Sequence, residues 1–313
     1  MDILLGILEQ GLTYAFLALG LYFAYIILDF PDLTVDGSFP LGAAVSISLS
    51  LAGLPPLLTL GAAALAGAAA GLCTGLIHVK LRVKDLLAGL IMQTALYTVN
   101  LVIAGRANVP IFDRPALFQN PGLENSLSPA LQAWAVLLIM LPLVILIKFS
   151  CDAFLSTQAG FLLKAAGDKP SLVCSLAHDP GMVKVGGLAL ANALVALSGA
   201  CVAQEQRFFE ISMGTGAMLM GLASVILGLK LLERFSRLRE TTKVLLGSVI
   251  YKAVIAFAIT LGLPPNALKL LTALTFLVIL VAGNGQMAAH FRRLFGLSKA
   301  CSDSEIQKEA KDA

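Results

Sequence analysis

A chain of 313 residues with 58% hydrophobic and only 13% charged residues, at a mean hydropathy of +0.87, is too apolar for a soluble domain, where about a quarter of residues are charged. Its apolar runs are long enough to cross a bilayer as helices and lack the alternation of barrel strands, so the fold class is an all-α polytopic membrane protein. The net charge of +3 belongs to loops beside anionic lipid; no basic tract interleaved with aromatics suits nucleic acid.

The first apolar run, 9–28, has no basic residue ahead of it and ends in Asp29-Phe30-Pro31-Asp32, which predicts a retained helix and not a cleaved leader. Next comes a deliberate break. From Asp29 to Gly42 the chain reads D-F-P-D-L-T-V-D-G-S-F-P-L-G, and no continuous membrane helix tolerates three carboxylates, two prolines and two glycines there. Ser38 is placed to cap a new helix carrying Pro40 in its first turn. Asp29, Asp32 and Asp36 are expected to face water, protein or a helix N-terminus.

About 178 residues later the pattern returns. Without gaps, Asp32-Leu33-Thr34-Val35 falls on Glu210-Ile211-Ser212-Met213, and a one-residue gap also aligns Gly42 with Gly221. Helix, acidic break and Gly-bearing helix thus occur twice.

Hydropathy gives about nine crossings, at 9–28, 38–53, 56–79, 84–105, 132–149, 182–203, 214–229, 243–262 and 266–282. Placing the N-terminus outside and the C-terminus inside puts 17 of the 22 Lys and Arg residues in inner loops and the tail. In that orientation the two copies, about 9–105 and 182–282, are inverted, a recurring plan for solute transporters. Residues 1–285 then form one transmembrane unit containing an inner segment at 150–181, and 286–313 form a cytoplasmic tail.

Within the fourth crossing Gln93, Tyr97 and Asn100 recur on one helix face, and Asn192 sits near the middle of the sixth. They serve either as interhelical hydrogen bonds or as the polar wall of a solute path. The Pro-rich outer stretch, 106–132, is either a cap for an outside partner or a solvated connector. In the inner segment Asp168 can cap a short helix with Pro170 in its first turn, which Asp179-Pro180-Gly181 then stops. Lys252, inside the eighth crossing, either relays charge or snorkels towards a carboxylate. Cys73, Cys151, Cys174, Cys201 and Cys301 are scattered and read as free thiols.

The run Lys164-Ala165-Ala166-Gly167-Asp168-Lys169-Pro170, followed by Lys184, Gly187 to Gln204 and M-G-T-G-A-M-L-M-G-L-A-S-V-I-L-G from Met213, resembles the permease subunits of bacterial ABC importers. Within these it is similar to the branched-chain amino acid and ribose permease class, and D-L-T-V-D-G-S with Gly42 matches that class too; the likeness extends to about Gly285. It implies a multi-pass protein of the bacterial inner membrane that imports amino acids or related small solutes by alternating access. The partners implied are a second copy, two cytoplasmic ATPase subunits and an extracytoplasmic solute-binding protein. It further implies that Lys164, Ala166, Gly167 and Asp168 couple to the ATPase. The broken-helix and gate residues are then Asp32, Asp36, Gly37, Ser38, Glu210, Ser212, Gly214 and Gly216. Three positions depart from the class: Lys169 where Asn is common, Ala177 where Gly usually follows the short helix, and Arg207 where a small residue is usual.

No phosphate-cradling G-x-x-x-x-G-K-[ST] occurs, so ATP and Mg belong on a partner and no cofactor is expected in this chain. His78, His178 and His290 lack metal-ligand spacing. Two other classes stay open. One is an ion-gradient-driven transporter or channel, which the inverted repeat also fits. The other is a metal-dependent membrane enzyme using Asp29, Asp32 and Asp36, although only one such cluster exists.

Overall fold

The computed structural model describes residues 2–112, 117–118, 134–235, 237–261, 270 and 272–277. The helices are α1 (Asp2–Thr13), α2 (Ala15–Leu21), α3 (Val35–Leu51), α4 (Pro56–Lys80), α5 (Asp85–Ala104), α6 (Ala135–Leu155), α7 (Gln158–Asp168), α8 (Pro170–Ser175), α9 (Pro180–Gln206), α10 (Ala217–Leu231) and α11 (Glu240–Thr260). Seven stretches among these residues are long and apolar enough to cross a membrane, the first of them (Ile3–Ile27) built from α1, α2 and a π-helical turn at Tyr22–Ile27. α3 is apolar but has only 17 residues. Most of the ninth expected crossing, most of the outer stretch and the tail lie outside the described residues.

The sequence reading needs several corrections. The first crossing starts at Ile3, not residue 9, because Ile3, Leu4 and Ile7 extend its apolar run. α6 runs to Leu155 rather than 149, since Asp152 is ion-paired to Lys148 one turn back and so does not end the helix. A two-stranded antiparallel ladder, β1 (Asn108–Pro110) on β2 (Phe208–Glu210), interrupts the all-helical plan; strands of three residues are too short to show periodicity.

α9 is the hub, with 78% of its most apolar window buried. It packs on α2, α3 and α4 through small residues, so backbones meet directly. A Cβ on Gly42 of α3 would lie 1.9 Å from the Ala196 carbonyl oxygen, and one on Gly71 of α4 would lie 2.2 Å from that of Leu188. The large core side chains, Phe16, Tyr22, Phe23 and Phe39, fill the space around this hub.

Between α8 and α9, Ala177 adopts φ 57°, the left-handed region that costs an L side chain about 1–2 kcal/mol. Gly there would relieve that strain while losing about 0.4–1 kcal/mol through a freer unfolded chain. Ala177→Gly is therefore expected to raise the thermal midpoint slightly, by a net gain of about 0.5–1 kcal/mol, and a lower midpoint would contradict this account.

Candidate functional site

The first break descends from the π turn through Asp29, which is exposed and left-handed at φ 51°, into a buried pocket for Asp32. Asp32 is fully buried. Its Oδ1 accepts the Thr34 amide at 2.9 Å and its Oδ2 accepts Asn192 Nδ2 at 2.7 Å. Asn192 Oδ1 in turn accepts the Ser38 hydroxyl at 2.7 Å, and Thr34 Oγ1 meets Thr74 Oγ1 at 2.9 Å. One buried network thus ties the break to α9 and α4. It also corrects the assignment of Ser38: α3 starts at Val35, and Ser38 lies within the helix, where its hydroxyl serves Asn192.

The two breaks meet at Asp36. Its Oδ2 accepts the Gly216 amide at 3.2 Å and its Oδ1 accepts the Met218 amide at 2.8 Å, so a carboxylate on the first turn of α3 closes the start of α10. The orphan amides and positive end of a helix N-terminus favour this arrangement. Pro40, lacking an amide hydrogen, leaves the Asp36 carbonyl without its helical donor, and Gly214 sits against that carbonyl and the Pro40 ring; a Cβ on Gly214 would lie 2.2 Å from the oxygen. Gly216 holds φ 83° at the entry to α10. Gly37 packs against Gln93 and Leu96 of α5, and its carbonyl accepts Asn100 Nδ2 at 3.1 Å. Glu210 is exposed and accepts the Ser212 hydroxyl, unlike its sequence counterpart Asp32.

Asp36→Ala leaves two amides of α10 uncapped, which predicts a loss of about 2 kcal/mol in stability, with Asp36→Asn recovering about half. The thermal midpoints of the purified variants test this; equal midpoints for wild type and Asp36→Ala would refute the cap.

The structure divides the polar set of α5. Asn100 turns towards α3 and the Gln93 backbone abuts Gly37, whereas Tyr97 is 56% exposed. Asn192 is fully buried within the Asp32 network.

In the inner segment, α7 ends at Asp168. Asp168 does not cap α8, whose N-terminus falls at Lys169 with no side-chain bond. Asp179 starts α9 and does not stop α8, because its Oδ1 accepts the Gly181 amide at 2.8 Å. Lys164 and Asp168 are exposed, as are Leu172 and Leu176 on α8. Ala166 is buried, and Gly167 lies against the end of the π turn: a Cβ there would be 2.0 Å from the Ile27 carbonyl oxygen.

Sequence reasoning missed Thr34 and Thr74, and the contact of Gly167 with Ile27. Lys252 has its Nζ 3.4 Å from the Tyr14 ring centroid, a cation–π contact that neither reading of the sequence named. Asp32 and Asp36 spend their oxygens on amide donors, and no group of three His, Cys, Asp or Glu among the described residues is placed to hold a metal.

A family model for branched-chain amino acid transport system permease components matches residues 3–282. The chain belongs to that family. The permease is 37% identical over 282 residues to a tyrosine transport system permease protein of Clostridioides difficile (strain R20291), covering 90% of this chain and 91% of the relative. It is 31% identical over 284 residues to an uncharacterized protein of Rickettsia prowazekii (strain Madrid E), covering 90% and 97%. No solved structure matches. With its seven apolar spans, the permease is a multi-pass protein of the bacterial inner membrane and the membrane subunit of a transport system, in a family of transport components and not of enzymes.

Proposed function

We propose that the permease works as a pair of identical chains in an ATP-driven amino acid importer, with two cytoplasmic ATPase subunits that carry ATP and Mg and an extracytoplasmic solute-binding protein. In this reading the N-terminus is outside, the C-terminus is inside, 266–282 supplies a ninth crossing, and the segments about 9–105 and 182–282 are inverted repeats. The relative named for tyrosine transport makes tyrosine the first solute to try.

The observation that best supports alternating access is the Asp36 clasp, because a shift of α3 drags the start of α10 with it and both breaks move together. α7 and α8 receive the stroke of the ATPase: Leu172 and Leu176 dock, Lys164 and Asp168 flank them, and Ala166 and Gly167 pass the motion to the π turn. Gln93 and Tyr97 line the solute path at the axis of the pair, with Asn100 holding α5 to α3 and Asn192 fixing the helix behind it.

The test is uptake of labelled tyrosine and other amino acids into proteoliposomes holding the co-purified complex. ATP-dependent uptake with a recovered Walker-type ATPase supports the reading. Uptake that persists in ATP-depleted vesicles would replace it with a gradient-driven carrier.

A further inference from the structure

Beside α7 lies a cleft away from the proposed solute path, bordered by the coupling residues Lys164, Gly167 and Asp168. It has two adjoining lobes of about 370 and 500 Å³, which share Tyr22, Lys164 and Glu240 as their common wall. The Tyr22 hydroxyl donates to Glu240 Oε2 at 2.5 Å and braces that wall. The smaller lobe adds Phe161 and Arg239, and the larger adds Asp29 and Asp168. Asp152 and Glu240 also border the smaller lobe, so its cations face carboxylates there, whereas the larger lobe sets Lys164 against Asp29, Asp168 and Glu240.

Three charges of the larger lobe are unspent. Among the described residues, Lys164, Asp29 and Asp168 make no ion pair and no side-chain hydrogen bond, although they face the same cleft. Asp152, at the back of the smaller lobe, is by contrast neutralised by Lys148 at 2.9 Å and Arg239 at 3.2 Å. Each lobe has the volume of a small-ligand pocket, generally about 300–1,000 Å³. A free amino acid matches the larger lobe in sign: its ammonium meets Asp29 and Asp168, its carboxylate meets Lys164, and its side chain lies along Tyr22 towards Phe161 of the smaller lobe.

We propose that this cleft is a second amino acid site, open to the cytoplasm, through which accumulated solute slows its own uptake. The proposal rests on the reading of the permease as an amino acid importer with α7 on the inner side. Its mechanical basis is position: the larger lobe is bounded by Ile27 and Gly167, the two residues in contact between α7 and the π turn. A ligand there wedges the element that transmits the stroke.

The test uses the co-purified complex in nanodiscs, titrated with each proteinogenic amino acid in turn. The tightest binder is then compared with its decarboxylated amine and its deaminated acid. Each analogue is expected to bind at least about tenfold more weakly, having lost one charge-assisted contact. Asp29→Asn keeps the left-handed backbone, which Asn tolerates, and is expected to weaken binding about tenfold as well. In proteoliposomes preloaded with the same amino acid, uptake should slow in wild type and not in Asp29→Asn, while uptake into empty vesicles is alike in both. Phe161→Ala provides a second variant in case Asp29→Asn does not fold.

Several results would overturn the proposal. An amine that binds as tightly as the amino acid makes the cleft a cation pocket. Equal slowing in wild type and Asp29→Asn places the inhibition on the transport path. No binding of any amino acid alongside normal uptake removes the site and leaves the importer standing. Binding with no ATP-driven uptake strikes the importer reading and supports the site.

Discussion

Gly167→Leu is expected to reduce amino acid uptake to below about a tenth of wild type while the protein still reaches the membrane. The Cβ alone would lie 2.0 Å from the Ile27 carbonyl oxygen, so even Ala forces α7 away from the π turn, and Leu displaces it further. Overpacking of this kind costs about 1–3 kcal/mol, enough to shift an exposed 11-residue helix without unfolding the seven spans around it. ATP hydrolysis by the ATPase should continue, because the surface of α8 proposed to dock it is untouched. The measurement is therefore the ratio of solute imported to ATP consumed. Gly167→Ala should fall between, and Asp168→Lys, a change to an exposed side chain, should lower the ratio by weakening docking. A wild-type ratio in Gly167→Leu would remove the contact from the transmission route.

The second large effect is on stability. Asn192→Leu removes the donor to Asp32 Oδ2 and the acceptor of the Ser38 hydroxyl in a region with no solvent access. Leaving a buried group without its hydrogen-bond partner generally costs about 1–3 kcal/mol, more for a carboxylate, since the group left behind is neither hydrated nor bonded. The Thr34 amide still serves Oδ1, and the Ser38 hydroxyl is orphaned as well, which puts the expected loss at about 3 kcal/mol. Asp32→Asn in the same background should restore part of it, because a neutral amide is cheaper to leave half-satisfied. This non-additivity separates the network from simple loss of volume. Additive losses in the double variant would show that Asp32 and Asn192 do not act together.

The sequence carried much of the architecture because lipid imposes blunt rules: long apolar runs become spans, and carboxylates with prolines break them. Asp32 and Asp36 were legible as residues needing a partner. Their partners were not. Asn192 and Met218 lie 160 and 182 positions away, and nothing in local pattern distinguishes an Asn that holds a carboxylate from one that lines a path. Ser38 had the composition of a cap in the right place, but helix α3 began three residues earlier, where Asp32 bonds the Thr34 amide and the start of α10 supplies amides to Asp36. In the inner segment Gly167 was picked out by resemblance as a coupling residue, but its contact with Ile27 was not legible; a glycine's neighbours cannot be read from its name. Ala177, flagged only as a departure, holds the left-handed backbone that explains why glycine suits that position.

The Asp36 clasp also bears on how the protein is made. The ribosome releases Met218 182 residues after Asp36, a delay of roughly 10 to 40 s at ordinary synthesis rates. During that interval the carboxylate has no α10 amides to accept, so the contact that joins the two breaks is completed late in synthesis. A nascent chain truncated ahead of Gly216 would leave Asp36 without either of these donors.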